Sequence, residues 1–202
     1  MSKTFVITGG CGFIGKHFTK KILNKDNYVI NIDALTYCSD KVIYKDFEQH
    51  KNYIFINKNI CDLDHLPDCD YLVNFAAETH VDNSINDNDV FIKSNIQGIH
   101  NILKLIAAKD KKNRPRLFHI STDEVYGDIL DGFYNEDSVL RPSNPYAATK
   151  ASADMLIKSW GRTYGIDWNI IRPSNNYGPL QFHEKLIPRS CQRLLNGYPA
   201  ML

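Results

Sequence analysis

The stretch "TFVITGGCGFIG" at positions 4–15 decides the fold of this chain. A short apolar run leads straight into closely spaced glycines, and an amphipathic segment of helix length follows. Two glycine patterns fit equally well, G-x-G-x-x-G at Gly10, Gly12 and Gly15, and G-x-x-G-x-x-G at Gly9, Gly12 and Gly15. Such glycines let the backbone turn tightly and approach a pyrophosphate, which rests on the N-terminus of the next helix. The stretch therefore predicts a strand, a dinucleotide-binding turn and a helix.

The same alternation of apolar runs and amphipathic segments continues along the chain. The predicted strands are 4–8, 28–33, 53–57, 71–76, 116–121 and 168–172, and the predicted helices are 13–24, 39–49, 84–109, 146–164 and 184–196. Continuously apolar strands joined by helices indicate a parallel sheet covered on both faces. We therefore predict an α/β fold, a Rossmann-type doubly wound parallel sheet, with ligands bound beyond the carboxyl ends of its strands.

Composition and charge argue against several classes of protein. The net charge is +1, which provides no overall field for nucleic acid or a membrane surface. The five cysteines show no C-x-x-C spacing and the seven histidines no H-x-x-x-H spacing, so neither a disulfide framework nor a metal site is predicted. No apolar run is long enough to span a membrane, and the first strand begins too early for a signal peptide. We therefore expect a cytoplasmic protein.

The second predicted strand ends in Asp33, where a dinucleotide-binding fold needs an acidic residue. A carboxylate at that point accepts hydrogen bonds from the adenosine ribose and repels a 2′-phosphate, which favours NAD over NADP. Ile60 and Asp62, after the third strand, are available for the adenine. The small residues in "NFAAETH" (74–80) follow the fourth strand, where the backbone must pass the cofactor closely.

A tyrosine and a lysine in "YAATK" (146–150) form a candidate catalytic pair. Tyr146 and Lys150 are four residues apart and so share one helix face. A nearby ammonium group is expected to lower the pKa of a tyrosine from about 10, making it a usable proton acceptor. Tyr37 and Lys41 have the same spacing but follow no strand end that carries a hydroxyl group. Position along the chain therefore favours Tyr146 and Lys150.

Two adjacent carboxylates, Asp123 and Glu124, follow the fifth predicted strand in "HISTDEVYG" (119–127). A solvated turn is the alternative interpretation of such a stretch. A buried parallel strand before them would place them at the ligand-binding edge of the sheet, beside Tyr146 and Lys150. The pair is then interpreted as an acid and a base.

These segments occur in an order that resembles the extended short-chain dehydrogenase/reductase family. The segments are "TGGCGFIG" (8–15), Asp33, "AAETHVDNSI" (76–85), "STDEVYG" (121–127), "YAATK" and "RPSNNYGP" (172–179). Within that family, "TDE" and "NNYGPLQFHEKLIP" (175–188) are similar to the 4,6-dehydratases of dTDP-glucose or UDP-glucose. The resemblance implies oxidation at C4 of the sugar, loss of water across C5 and C6, and hydride return to C6.

The resemblance also implies a role for each matching residue. Tyr146, assisted by Lys150 and Thr122, would take the C4 hydroxyl proton. Glu124 would abstract the C5 proton as base, and Asp123 would protonate the departing C6 hydroxyl. Residues expected near NAD are Gly9, Gly12, Phe13, Ile14, Gly15, Asp33, Ala34, Leu35, Thr36, Ile60, Asp62, Ala76, Ala77, Ser94, Tyr146, Lys150 and Asn176. Those expected to contact the nucleotide-sugar substrate are Thr79, Thr122, Asn175, Lys185 and Leu186.

Four further expectations follow from the resemblance. Asn95 would support the tyrosine–lysine pair, while Asn59 departs from an aspartate common in the family. A homodimer would form through the helices 84–109 and 146–164, and the first of these has apolar residues on more than one face. Residues 1–178 would form the NAD-binding domain. Residues 179–202 would begin a smaller C-terminal substrate domain that is truncated here.

Two other functions stay open from the sequence. One is another nucleotide-sugar enzyme, an epimerase or a decarboxylase, that shares Tyr146 and Lys150 but against which the two carboxylates argue. The other is a non-catalytic NAD-binding protein, a class that usually loses the tyrosine or the lysine.

Overall fold

A six-stranded parallel sheet forms the centre of the protein. The computed structural model describes residues 2–200, except the side chain at position 86. The strands are β1 (Thr4–Thr8), β2 (Tyr28–Asp33), β3 (Tyr53–Asn57), β4 (Tyr71–Asn74), β5 (Arg116–Ile120) and β6 (Trp168–Ile171). They lie in the order 3-2-1-4-5-6, and every neighbouring pair is parallel. The predicted doubly wound sheet is confirmed. The predicted domains 1–178 and 179–202 include positions 1, 201 and 202, which lie outside the described residues.

Helices connect the strands across both faces of the sheet. They are α1 (Phe13–Leu23), α2 (Ile43–Phe47), α3 (Val81–Asn86), α4 (Asp89–Phe91), α5 (Gly98–Ala108), α6 (Pro145–Tyr164) and α7 (Leu186–Leu195). Short 3₁₀ turns lie at Ile60–Asp62, Lys111–Asn113 and Asp123–Tyr126, and Ile92–Gln97 forms a π-helical segment. Among the described helices, each is too short or too polar to cross a membrane.

The prediction of one continuous helix over 84–109 is wrong. The chain is extended at Asp87, with φ −145°, and this separates α3 from α4. Asp87 Oδ1 accepts a hydrogen bond from the backbone N of Asp89 at 3.2 Å. Such a local bond competes with the helical hydrogen bonds, which explains a break in this Asn- and Asp-rich run.

The helix predicted over 39–49 is shorter than expected and begins only at Ile43. Asp40 Oδ1 accepts hydrogen bonds from the backbone N–H groups of Val42 and Ile43, both at 3.2 Å. The carboxylate therefore satisfies the first free donors of α2, and the preceding residues stay outside the helix.

The two faces of the sheet bury two separate hydrophobic clusters. Val6 of β1 belongs to the cluster that α5 and α6 cover, which also contains Ile32, Leu72, Ile99, Ile102, Leu103, Ile106, Leu117, Ala153 and Ile157. The next residue, Ile7, belongs to the cluster under α1 and α2, together with Leu23, Val29, Phe47 and Tyr53. Successive side chains of a strand point to opposite faces, so both clusters follow from one uninterrupted apolar strand.

A buried ion pair connects β6 to α6. Arg172, directly after β6, donates from Nε to Asp154 Oδ2 at 2.9 Å, and the Asp154 side chain is fully buried. Arg172 also donates to the Tyr126 hydroxyl at 2.6 Å. Burial raises the pKa of Asp154, and the Arg172 guanidinium opposes that shift. The pair thus holds α6, β6 and the 3₁₀ turn after β5 together.

We predict that Arg172→Leu destabilises the protein by about 3–5 kcal/mol, because it leaves the Asp154 carboxylate buried without its cation. Urea unfolding measures the loss. The exposed pair Arg116–Asp167, at 2.9 Å, supplies the control, since Arg116→Leu should cost less than about 1 kcal/mol. Adding Asp154→Asn to Arg172→Leu should recover much of the stability. Equal losses for the two arginine variants would contradict the prediction.

Candidate active site

The glycine turn after β1 is packed so closely against neighbouring backbone that no side chain fits at Gly9 or Gly15. Gly9 has φ +71°, and a Cβ there would lie 2.6 Å from the backbone N of Ala76. A Cβ at Gly15 would lie 2.2 Å from the carbonyl oxygen of Gly9. Gly12 precedes α1 as its N-cap, without a side-chain cap. The open N-terminus of α1 and the bare backbone around it suit a pyrophosphate.

Asp33 stands at the end of β2 and organises the adjacent loops. Its Oδ2 accepts a hydrogen bond from the backbone N of Cys11 at 2.9 Å. Its Oδ1 accepts from the backbone N of Leu35 at 2.8 Å and from Ser39 Oγ at 3.1 Å. An ionised carboxylate has about four acceptor positions, so one is left for a ribose hydroxyl.

Two adjoining cavities lie along the carboxyl edge of the sheet. The larger, of about 270 Å³, reaches from the glycine turn to the ends of β5 and α6. The smaller, of about 80 Å³, lies over the ends of β2 and β3. Gly9, Gly12 and Ala77 line both cavities. The arrangement is an elongated cleft bent around the glycine turn.

Most of the predicted site residues meet in this cleft. The larger cavity is lined by Phe13, Ile14, Gly15, Thr79, Thr122, Asp123, Glu124, Tyr146, Lys150, Asn175, Asn176 and Lys185. The smaller is lined by Asp33, Ala34, Thr36, Ile60, Ala76 and Ser94. Leu35, Asp62 and Leu186 line neither cavity. Leu35 instead contacts Asp33 through its backbone, while Asp62 and Leu186 are exposed.

The end of β5 presents a hydroxyl group and two carboxylates to the larger cavity. Thr122 is the N-cap of the 3₁₀ turn Asp123–Tyr126, and its Oγ1 accepts from the backbone N of Glu124 at 3.3 Å. The same oxygen lies 3.3 Å from Asp123 Oδ1, to which it donates. Glu124 Oε2 accepts a hydrogen bond from Asn144 Nδ2 at 3.1 Å. The tight turn brings both carboxylates to the cavity beside Thr122.

Tyr146 and Lys150 lie on α6 and are both buried. Lys150 Nζ donates to the carbonyl oxygen of Ile120 at 2.7 Å and lies 3.4 Å from His119 Nε2. Burial lowers the pKa of Lys150 to about 8, and the more distant Asp154 opposes the shift. The ammonium therefore lies between the end of β5 and α6, where the loss of hydration makes its positive charge unfavourable.

The pKa of Tyr146 moves in the direction opposite to the sequence-based expectation. Burial raises it to about 12, the negative charge of Glu124 adds to the increase, and a hydrogen bond with Thr122 opposes it. The expected lowering by Lys150 is wrong for this structure, since Lys150 donates to Ile120 and lies against His119 instead. Burial of the phenol, with a smaller contribution from the nearby carboxylates, raises this pKa, and the sequence spacing alone indicates neither.

A chain of buried polar side chains lies behind Lys150. His119 Nδ1 is 2.9 Å from Asn74 Nδ2, and Asn74 Oδ1 accepts from Thr8 Oγ1 at 2.5 Å. Burial lowers the pKa of His119 well below its ordinary value, with Lys150 adding to the effect, so the imidazole is neutral. The chain connects the ends of β1, β4 and β5 beneath the cleft.

Asn95 occupies the π-helical segment, where it bonds to the β4 loop rather than to the tyrosine–lysine pair. Its amide donates to the carbonyl oxygen of Glu78 at 3.0 Å and accepts from the backbone N of Glu78 at 2.9 Å. It also donates to Thr149 Oγ1 at 2.9 Å, one residue before Lys150. Asn95 thus connects the cleft loop directly to α6 through Thr149 and supports the tyrosine–lysine pair only indirectly.

Sequence reasoning missed several residues of the cleft. Asn144 contacts Glu124, His119 contacts Lys150, and Cys38 lines both cavities. "SNPY" (143–146) does contain a helix-start signal, an Asn before a Pro, but this signal predicts a cap and says nothing of Glu124. Within residues 2–200, no cluster of three or more His, Cys, Asp or Glu side chains is placed to hold a metal ion.

The fold and the site together define the class of the protein. A parallel sheet of order 3-2-1-4-5-6, a glycine turn after β1, and a Tyr-x-x-x-Lys pair on α6 are those of a Rossmann-type short-chain dehydrogenase/reductase. A family profile described as GDP-mannose 4,6 dehydratase matches residues 6–202. The chain belongs to this dehydratase family.

Individual relatives agree with that family. The low-salt glycan biosynthesis protein Agl12 of Haloferax volcanii is 45% identical over 197 residues, covering 95% of this chain and 63% of the relative. The dTDP-glucose 4,6-dehydratase DesIV of Streptomyces venezuelae, solved with NAD bound, is 39% identical with a TM-score of 0.90, covering 96% of this chain and 62% of that one. The UDP-glucuronic acid 4-epimerase of Bacillus cereus is 27% identical with a TM-score of 0.90, covering 98% and 64%.

The chain spans about three fifths of the length of these relatives, with 59–63% coverage among the curated proteins. The shared part contains the sheet, the glycine turn and the tyrosine–lysine pair.

We predict that Lys150→Met increases stability at pH 7, because it removes a buried charge. The lowered pKa means that the unfolded chain binds one proton more than the folded protein between about pH 8 and 10.5, so parent stability rises across that window. The difference in free energy of unfolding between the variant and the parent should therefore shrink by on the order of 3 kcal/mol from pH 7 to pH 10.5. Urea unfolding at several pH values measures this, with the exposed Lys104→Met as control. An advantage independent of pH would contradict it.

Proposed function

We propose that the protein is an NAD-dependent nucleotide-sugar 4,6-dehydratase acting on dTDP-glucose or UDP-glucose. The observation that carries this proposal is the arrangement of Asp123 and Glu124 in the same cavity as Tyr146 and Lys150. Oxidation at C4 needs Tyr146 and Lys150, and loss of water needs an acid and a base close to them. The dTDP-glucose 4,6-dehydratases among the relatives support the substrate class.

The residues of the cleft fit NAD. Gly9 and Gly15 allow the close backbone packing of the turn that leads into α1, whose N-terminus suits a pyrophosphate, and Asp33 has acceptor capacity left for the ribose. Ile60 and Ser94 line the smaller cavity, where the adenine half would lie. When bound, NAD supplies the group that accepts the hydride from C4 and returns it at C6.

Tyr146 takes the proton of the C4 hydroxyl group in this proposal. Its pKa of about 12 makes its hydroxyl a proton donor at neutral pH, so it needs a positive charge nearby to act as acceptor. Lys150 supplies a cation in the same cavity, and an oxidised nicotinamide ring is itself positively charged. Thr122, hydrogen bonded to Tyr146, orients the sugar oxygen.

Glu124 and Asp123 carry out the elimination in this proposal. Once C4 is a ketone, the proton on C5 is acidic, and Glu124 abstracts it. Asp123 gives a proton to the C6 hydroxyl, which leaves as water. Glu124 is half-buried and hydrogen bonded to Asn144, whereas Asp123 is exposed, so the two carboxylates have different environments. Two carboxylates in different environments can take different roles, one as the acid and the other as the base.

The nucleotide end of the substrate would lie toward the C-terminal part of the chain. Thr79, Asn175 and Lys185 line the larger cavity. The Lys185 ammonium suits a diphosphate, which a point charge binds well. We propose that residues 1–178 form the NAD-binding domain and that 179–202 begin the substrate domain.

A second candidate is a nucleotide-sugar 4-epimerase, since the Bacillus cereus epimerase has the same fold. An epimerase needs the tyrosine–lysine pair but has no use for a base at C5. Two carboxylates in the cavity therefore favour the dehydratase.

We predict that the full-length protein converts dTDP-glucose, UDP-glucose or both to a 4-keto-6-deoxy product, detected by mass spectrometry as loss of one water. Glu124→Gln should reduce water loss more than C4 oxidation, which is followed by the absorbance of reduced NAD. Tyr146→Phe should block both steps. General acid–base groups contribute about 10²–10⁴-fold, which sets the expected size.

The control for this assay is Val139→Ala, a change on the exposed loop after β5. A C4 epimer as the sole product, or no reaction with either sugar nucleotide, would exclude the proposed function. Normal dehydration by Glu124→Gln would exclude Glu124 as the base.

We also propose a homodimer through the surface formed by α4, the π-helical segment and α6. Val90, Ile92 and Met155 are 47%, 41% and 49% exposed on these neighbouring helices. Large apolar side chains exposed on neighbouring helices favour association. A helix pair on each subunit would bury them.

Met155→Glu should give a monomer, because it would place a charge in the dimer interface. Sedimentation velocity measures the change, and Val42→Glu, at an exposed valine next to α2, is the matched control. A parent protein that sediments as a monomer would contradict the dimer.

A further inference from the structure

Asn144, directly before α6, makes two side-chain hydrogen bonds of different kinds. Its Oδ1 accepts from the backbone N of Ala147 at 2.8 Å, which caps the helix. Its Nδ2 donates to Glu124 Oε2 at 3.1 Å. The two partners fix the orientation of the amide, because an N–H faces its oxygen and a carboxylate faces its nitrogen. The start of α6 is therefore bonded to Glu124.

We infer that Asn144 is a positioning residue for Glu124 in proton abstraction, an inference that rests on the proposed dehydratase function. The amide engages Oε2 and leaves Oε1 for the C5 proton. A base must lie within hydrogen-bond reach of the proton it takes, so its side chain has to be held in one conformation. A hydrogen bond from a neutral amide does this without neutralising the carboxylate.

The cap position explains why this amide can act as a fixed support. Asn144 has an extended backbone, Pro145 at the first helical position has no N–H, and the N–H of Tyr146 donates to Ser84 Oγ, so the cap bond goes to Ala147. Tyr146 follows two residues later on the same rigid helix. One element, α6, therefore positions the groups for both proposed steps: it carries Tyr146 for C4 oxidation and, through Asn144, holds Glu124 for C5 deprotonation.

Other good N-cap residues would not do both tasks. Ser caps as well as Asn, but its single hydroxyl lies closer to the backbone and does not reach Glu124. Asp also caps, but it places a second carboxylate oxygen against Glu124, and like charges repel. Asn144→Ser therefore keeps the helix start and removes only the support of Glu124, whereas Asn144→Asp keeps the helix start, removes that support and adds a repelling charge.

We expect both variants of Asn144 to unfold at the same urea concentration as the parent. Water loss from the sugar nucleotide should fall about 10- to 100-fold, the size of effect that misplacing a reacting group produces. C4 oxidation, followed by the absorbance of reduced NAD, should be nearly unchanged. Asn144→Asp should lose more than Asn144→Ser. Ser143→Ala, which removes the adjacent hydrogen bond to Asp128 at 3.2 Å, is the matched control and should leave both steps unchanged.

A double-variant comparison separates positioning from a merely structural role. In a Glu124→Gln background the base is already absent, so Asn144→Ser should cause no further loss of dehydration. An additional loss of full size there, or an equal loss of oxidation and dehydration in the single variant, would overturn the inference.

Crystal structures of the parent and of Asn144→Ser supply a readout that does not depend on activity. We expect the Glu124 carboxylate to leave its position in the variant while α6 still begins at Pro145. If the parent dehydrates no nucleotide sugar, the proposed function fails, but a displaced Glu124 would still establish the positioning role. An unmoved Glu124 would overturn the inference whichever reaction the protein catalyses.

Discussion

The close approach of two backbone segments, at Gly9 after β1 and at Ala76 after β4, is the constraint on which the site depends. A Cβ at Gly9 would lie 2.6 Å from the Ala76 backbone nitrogen, so the segments can meet only if residue 9 is glycine. In the sheet, β2 and β3 lie on one side of β1, and β4, β5 and β6 lie on its other side. Connections that diverge at this point leave a crevice at the carboxyl edge. Gly9 lines both cavities, and every proposed function of the cleft depends on its geometry.

The second organising feature is a charge that the fold buries at a cost. Lys150 is 2% exposed, its ammonium donates to a backbone carbonyl, and a neutral histidine rather than a carboxylate lies beside it. A hydrophobic residue of similar length would stabilise this interior better, as is common for buried charges. The cost is understandable at the proposed catalytic site, because a lysine with a pKa near 8 exchanges its proton close to neutral pH. Stability and proposed chemistry therefore favour different residues at position 150.

The features that sequence predicted well are those fixed by local pattern. The apolar runs and the glycine turn predicted the strands and their parallel direction, because each depends on a few neighbouring residues. The break at Asp87 and the π-helical segment at 92–97 were not predicted, since side-chain bonds and tertiary packing override a continuous apolar pattern there. The raised pKa of Tyr146 was missed for a related reason: it depends on burial and on Glu124, which only the folded arrangement brings near. Contacts such as Asn144–Glu124 join residues 20 positions apart and leave no periodic signal.

The fold by itself does not separate a dehydratase from an epimerase, since relatives with both activities share it. Both reactions begin by oxidising C4, so the difference must arise from groups that reach C5 and C6. In the proposed function those groups are Asp123 and Glu124 of the short turn after β5, which Thr122 caps and which places both carboxylates at one cavity. The two carboxylates differ in exposure and in hydrogen bonding, which is the condition for one to act as acid and the other as base. The specificity of the reaction would then depend on a few residues placed on a sheet that is common to the whole class.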